Sequence, residues 1–293
     1  MQGYLTLPEA AIYLRLSERK LYDLVGRGAV PSSKASGRWL FNRIDLDRWL
    51  AVGAGGVAPT AVPPILGGSN DPLLDWAVRE SRSGLALLSE GSMAGLDRLA
   101  VDEIAIAAIH LHPADPTTGE AANIVGLRSG SGFHDVVLIG FVRREQGLLT
   151  APGNPRGLSS LRDAVDRRAR FALRRKGAGA ELLLTTLLAA EGLAPSRLAS
   201  TGTPAATGQD LALAIRAGNA DCGVATRAVA ETHSLGFISL AWEDFDLALR
   251  RRTYFEQGPQ RLFDLMRTER FRAQAEGFGG YDLSNTGVVR FNA

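Results

Sequence analysis

From Pro64 to the end of the chain one phrase recurs: a short apolar strand, a glycine-rich turn, then a helix. Pro64 to Gly67 leads into Gly67-Gly68-Ser69-Asn70-Asp71 and a helix over 72–81. Leu85 to Leu88 leads into Glu90-Gly91-Ser92 and a helix over 93–101. Ile104 to His110 and Val136 to Arg143 read as buried strands. Arg170 to Leu173 leads through Arg174, Arg175 and Lys176 into a glycine turn and a long helix ending at Glu191. Ala220 to Ala225 is again a strand, with a helix from Thr226. Such alternation predicts an α/β fold, a parallel sheet with helices on both faces. Ligands of such sheets bind off the carboxyl ends of the strands.

Three of these turns share a property. Ser69 with Asn70, Ser92, and the stretch Gly177, Ala178, Gly179, Ala180 each stand where a strand ends and a helix begins. Free backbone N–H groups at a helix start, aligned with the peptide dipoles, attract anions. Glycine lets a ligand approach the backbone, and a serine hydroxyl adds a donor. Taken singly, each serine reads better as an N-cap and each glycine as a turn residue. The anion reading rests on the recurrence.

The first fifty residues follow another pattern. Thr6, Pro8 and Glu9 form a capping-box start for a helix whose apolar face is Ala10, Ala11 and Leu14. Ser17 caps a second helix, with Leu21, Leu24 and Val25 at helical spacing and Gly28 at its end. Two short helices joined by a tight turn predict a helix-turn-helix, whose second helix enters the major groove of DNA. The outer face of that helix offers Glu18, Arg19, Lys20, Tyr22, Asp23 and Arg27 beside the capping Ser17. Val30 to Ser33 and Arg38 to Phe41 read as the strands of a wing, joined by a turn over 34–37, with Lys34 and Arg38 near its tip. Asp45 opens a closing helix, and Trp39, Phe41, Leu46 and Trp49 complete a small core.

Residues 1–52 carry eight Lys/Arg against five Asp/Glu, while the rest of the chain carries 25 against 26. The positive balance therefore lies in the head, where phosphates would sit. So modest a surplus predicts two heads on a two-part DNA site, hence a homodimer.

A chain of 293 residues suits two domains. The division expected is a head at 1–52, an uncharged Ala/Gly/Val-rich linker at 53–63, and a body at 64–293. No apolar run reaches the roughly 18 residues of a membrane span, and the N-terminus lacks a secretory pattern. The single Cys222 excludes an internal disulfide and fits a reducing, cytoplasmic setting, with its own thiol a small buried side chain. There is no G-x-S-x-G elbow, no H-E-x-x-H pair and no phosphate-binding G-x-x-x-x-G-K-[ST] loop. Four histidines (110, 112, 134, 233) and one cysteine do not show zinc-site spacing. The expectation is no catalytic residue, no metal site and no cofactor.

The head resembles the excisionase-like winged helix-turn-helix family, related to MerR-type heads. The resemblance is carried by L-T-L-P-E-A-A-x-Y-L, L-S-E-R-K-L-Y-D-L-V-x-R-G-A-V-P and G-R-W-L-F-N-R-I-D-L-D-R-W-L. It implies binding of double-stranded DNA through the second helix and the wing. The body resembles the type II periplasmic-binding-protein fold, in the cytoplasmic form found in molybdate- or tungstate-related regulators. The matching stretches include G-G-S-N-D-P-L-L-D-W, G-L-A-L-L-S-E-G-S-M-A-G-L, A-P-G-N-P-R-G-L-S-S-L and G-G-Y-D-L-S-N-T-G. This resemblance implies two lobes, 64–145 with 245–293 and 146–244, gripping a small oxyanion, molybdate or tungstate, between them. It makes His110 a further donor to the anion, with His112 close behind, and puts Asp221 and Tyr281 at the cleft floor or hinge.

The chain departs from the family at one turn. Where relatives carry G-S-G-T-R, it has Gly177-Ala178-Gly179-Ala180-Glu181, which leaves the identity of the anion open. Arg174, Arg175 and Lys176 either compensate or form a solvated basic face. The combined expectation is a cytoplasmic transcription regulator. A DNA-associated scaffold with an empty cleft and an enzyme on the same two-lobed fold are the alternatives.

Overall fold

A computed structural model describes residues 4–35, 37–53, 62–112, 121–130 and 132–293. The chain divides into two compact units, Met1–Val62 and Pro63–Ala293. Residues 54–61, most of the expected linker, and Ser36 of the expected wing turn lie outside the described residues.

In the first unit, β1 (Leu5–Thr6) runs into α1 (Leu7–Leu14), followed by α2 (Glu18–Gly26), β2 (Ser33–Ala35), β3 (Arg38–Phe41) and α3 (Arg43–Gly53). The capping box forms: the Thr6 amide donates to Glu9 Oε2 at 2.8 Å. Ser17 Oγ accepts from the Lys20 amide and starts α2. Past the end of α2, Gly28 takes φ +64°. The wing strands pair antiparallel, Lys34 opposite Trp39. The first wing strand begins at Ser33 rather than Val30, because Val30 is drawn into the core with Leu21, Val25, Phe41 and Leu46. β1 adds a third strand by pairing with β3, a two-residue element too short for any periodicity to reveal. Trp49 closes the core by donating its indole N–H to the Ala29 carbonyl at 2.6 Å.

The second unit opens with β4 (Ile65–Gly68), α4 (Pro72–Glu80), β5 (Ala86–Ser89), α5 (Ser92–Ala100), β6 (Ile106–Ile109) and α6 (Ala122–Ser129). Then come β7 (Val136–Thr150), α7 (Leu161–Asp166), β8 (Arg170–Arg174), α8 (Gly179–Ala190), β9 (Ala199–Ala205) and α9 (Gly208–Arg216). β10 (Cys222–Thr226), α10 (Arg227–Thr232) and β11 (Gly236–Arg250) follow. The tail holds α11 (Arg251–Tyr254), α12 (Gln257–Met266), α13 (Glu269–Phe278), β12 (Tyr281–Asp282) and β13 (Val289–Asn292).

The strand order is β5-β4-β6-β11-β7-β10-β8-β9, with β12 and β13 also on β7. The sheet is not parallel throughout, as the alternation alone suggested. Two parallel blocks, β5-β4-β6 and β10-β8-β9, flank an antiparallel centre of β7 and β11. Each central strand is 15 residues long. The first half of β7 lies in the block of β6 and the second half pairs with β10, so both strands run through two lobes and join them. Lobe one packs Leu96, Leu99, Ile109 and Leu138 under its helices. Lobe two has a core on each sheet face, one around Phe171 and Leu184, the other around Leu211 and Ile215. Cys222 is fully buried in the first of these, and burial pushes its thiol up to about 12.

Two features aim the turns at the lobe junction. Gly68 has φ +101°, and a Cβ there would stand 2.4 Å from the Ala108 carbonyl oxygen, so only glycine lets β4 leave the sheet this close to β6. Phe141 meets Phe245 and Phe271 edge-on at 5.9 and 5.5 Å between ring centroids, which pins α13 to the crossover strands.

Candidate functional site

The crossover strands carry buried charge at their midpoints. Arg144 on β7 is 2% exposed. Its Nε donates to Glu243 Oε1 on β11 at 2.7 Å, and its Nη1 donates to Asp71 Oδ2 at 3.0 Å. The guanidinium lies 3.9 Å from the centre of the Phe245 ring. Gln146, two residues on, donates to the same Glu243 Oε1 at 2.8 Å. Asp71 caps α4 by accepting from the Leu73 and Leu74 amides, and it takes the Tyr281 hydroxyl at 2.8 Å. Burial works to raise Glu243, but His110 and Arg144 outweigh it and hold the carboxyl well below the usual range. Burial also draws His110 down to about 4, against the pull of Glu243.

Above this floor lies a cavity of about 20 Å³, room for about one water-sized group. Its polar wall is Ser69, Asn70, His110, Arg144, Gln146, Arg174 and Thr226. Helices of both lobes begin at it: Pro72 opens α4, Ala180 lies in the first turn of α8, Gly208 opens α9, and Thr226 caps α10. The lobes touch across the cleft. Asn70 Nδ2 donates to Gln209 Oε1 at 2.7 Å. A Cβ on Gly179 would come within 1.9 Å of the His110 ring, and one on Gly91 within 3.3 Å of the Gly177 carbonyl oxygen. The cleft is closed, and glycines form its seam.

Arg174 is the unusual member. It donates only to the carbonyls of Ala205 and Ala206, and among the described residues it has no carboxylate partner. Asp210 acts on it from a distance and is engaged with the Thr207 amide. Burial, with Arg144 nearby, pulls Arg174 down to about 10. A cation held at this cost is one that an arriving anion would relieve.

The turn residues singled out from the sequence therefore fall into two groups. Ser69, Asn70, His110 and Ala180 line the cavity. Ser92 stands behind it, fully buried, with its Oγ 2.9 Å from Ser69 Oγ and bonded to the His110 backbone. Gly177, Ala178 and Gly179 form the lobe two side of the seam, and Tyr281 braces Asp71 from below. The Ser69 amide is taken by the Ala108 carbonyl. Glu181 turns back onto the Gly177 amide at 3.2 Å and keeps its charge off the cavity wall. Arg175 and Lys176 are exposed. Asp221 is paired with Arg156 and Arg170 and is not part of the wall. Arg144, Gln146, Gly208 and Thr226 were not anticipated; the signal for the first two was a polar run following an apolar strand.

In the head, Ser17, Glu18, Arg19, Lys20, Tyr22 and Arg27 are all exposed along α2. Lys34 and Arg38 are exposed on the wing, with Lys34 Nζ 5.4 Å from the centre of the Trp39 ring.

One acid on α4 is only weakly offset by a cation, Arg79. Burial, then the charge of Asp71 one turn earlier, pushes Asp75 up to about 6 from 3.8. The raised value means that folding is penalised where the unfolded chain has ionised: not at all below about pH 4, fully above about pH 6. Asp75→Asn is expected to stabilise the body by about 1 kcal/mol at pH 8, discounted for partial exposure, and to do nothing at pH 4. Urea unfolding at the two pH values checks it.

The family model for a PBP superfamily domain matches residues 76–267, well over half the chain, and that for a helix-turn-helix domain matches residues 4–51. An uncharacterized protein of Bacillus subtilis (strain 168), YvgK, is 24% identical over 97% of this chain and 96% of its own length. A Clostridium pasteurianum protein, described as uncharacterized and lying in the 5′ region of a ferredoxin 2Fe-2S gene, is 31% identical over 32% of this chain and 74% of its own. Among solved structures, PhnD1 from Prochlorococcus marinus (MIT 9301) in complex with methylphosphonate superposes with a TM-score of 0.51 at 10% identity, covering 75% of this chain and 92% of that one. A hydrogen-peroxide-bound cysteine mutant of Corynebacterium glutamicum OxyR gives 0.48 at 14% identity, over 93% and 89%. Among the described residues no helix is long and apolar enough to cross a membrane.

Proposed function

We propose, from the premise that this chain belongs to the PBP superfamily and carries a helix-turn-helix domain at its head, that it is a cytoplasmic transcription regulator sensing a small oxyanion in its cleft. A helix-turn-helix domain joined to a PBP superfamily domain is the build of a DNA-binding regulator with a small-ligand domain, and the matches point to binding rather than to an enzyme. Molybdate or tungstate is the first candidate ligand. The observation that carries the reading is Arg174, a cation without a carboxylate partner among the described residues, on the wall of a small cavity where helices of both lobes begin. Helix starts and an uncompensated guanidinium are two independent sources of positive potential. A cavity this small favours a compact inorganic anion over a bulky organic acid.

An anion shifts open and closed forms only by the difference in its affinity for them. Closure would then alter how two copies pair and so how two heads meet a two-part DNA site. The test is a thermal-shift screen of the full chain with molybdate, tungstate, sulfate, phosphate, methylphosphonate and small carboxylates. One oxyanion is expected to stabilise the body by about 2.7 kcal/mol at a hundred times its Kd, and Arg174→Gln to abolish that response. A flat screen sinks the reading. In the head, Arg19→Ala and Lys20→Ala are each expected to weaken binding to operator fragments. Where the side chain meets a phosphate, the salt dependence falls by about one unit of slope.

A further inference from the structure

The floor of the cleft holds two imidazoles that its hydrogen bonds do not use. His110 Nδ1 lies 2.9 Å from Glu243 Oε1, and His112 Nε2 lies 3.0 Å from Glu243 Oε2. The three side chains are 5%, 9% and 3% exposed. Yet neither contact counts as a hydrogen bond, and His110 Nδ1, His112 Nε2 and Glu243 Oε2 are all buried without a hydrogen-bond partner. Three orphaned polar atoms in one place cost more than a protein normally tolerates. The donor atoms of His110, His112 and Glu243 lie within 4.8 Å of one another.

We propose that His110, His112 and Glu243 bind one divalent cation of the zinc class at the lobe junction. Two imidazole nitrogens and one carboxylate oxygen are the donor set such ions take, with bonds of about 2.0–2.2 Å and a fourth position left open. Glu243 is prepared for it. Arg144 and Gln146 both donate to Oε1, which fixes the carboxylate and leaves Oε2 facing His112. His110 is tied at its backbone, amide and carbonyl both bonded to Ser92 Oγ. The nearby guanidinium of Arg144 works against a second cation, and Asp71, bonded to that same guanidinium, offsets it. Since His110 is also in the cavity wall, an ion here would adjoin the cleft.

The experiment uses the full chain, stripped with a chelator, dialysed and titrated with zinc(II) against a chromophoric chelator. One zinc per chain is expected. Changes in the groups behind a ligand alone cost about 10–100-fold in affinity, so His112→Ala and His112→Asn, each checked for folding by circular dichroism, should lose at least about 100-fold. Cobalt(II) in place of zinc should give a visible absorption band that both variants lack, whereas His134→Ala and His233→Ala keep it. Arg174→Gln should keep zinc binding while losing the oxyanion response, so that the two readings fail separately. No stoichiometric zinc binding in the parent, or binding that survives in both His112 variants, overturns the proposal.

Discussion

Arg144→Met is expected to cost the body about 3–5 kcal/mol, because it strips the shared cation from two buried carboxylates. In a unit of this size that lowers the melting temperature by roughly 10 °C. The two acids left behind are not equal. Asp71 keeps the Leu73 and Leu74 amides and the Tyr281 hydroxyl, whereas Glu243 keeps, among the described residues, the single hydrogen bond from Gln146. Adding Glu243→Gln should therefore restore more stability than adding Asp71→Asn, as a double-variant cycle measures. A loss below about 1 kcal/mol in the single variant would mean that water reaches the guanidinium and screens it.

Gly179→Ala should separate stability from response. The added methyl would stand 1.9 Å from the buried His110 ring, and the residue to which it belongs is on the other lobe. Neither lobe's core includes this position, and alanine is favoured over glycine by up to about 1 kcal/mol in a helix. The unliganded protein should melt within a few degrees of the parent, while the stabilisation by oxyanion falls at least tenfold in apparent affinity, because the closed form is blocked. Gly277→Ala, which meets nothing within 4 Å, is the control. An unchanged response in Gly179→Ala would show that the closed seam is not the ligand-binding form.

The legible parts of this molecule were those whose chemistry is local. The capping box at Thr6 and Glu9, the cap at Ser17 and the turn after β4 follow from neighbouring residues and could be read directly. The illegible parts were the central strands. The strand expected at 136–143 continues through Arg144, Glu145 and Gln146, all of them buried, to Thr150. β11, with Trp242, Glu243, Asp244 and Asp246 in its midst, was not anticipated at all. Rules built on apolar alternation stop at such runs, because the charges are satisfied by partners from distant segments. The cleft shows the same limit. Ser69, Asn70, His110 and Ala180 stand on turns with a sequence signature. The grouping of His110 and His112 with Glu243 depends on β11 lying beside β6, and histidine-cysteine spacing carries no trace of it.

The path of the crossover strands also sets an order of assembly. Lobe one is completed only by the second half of β11 and the tail helices, while all of β8, α8, β9, α9 and β10 precede them in the chain. On the ribosome, where synthesis proceeds from the N-terminus, lobe two has its parallel strands in hand while lobe one still exposes the edge of β6. A nascent chain halted before Asp246 would present that unpaired edge to its neighbours, which makes the last fifty residues a guard against aggregation during translation.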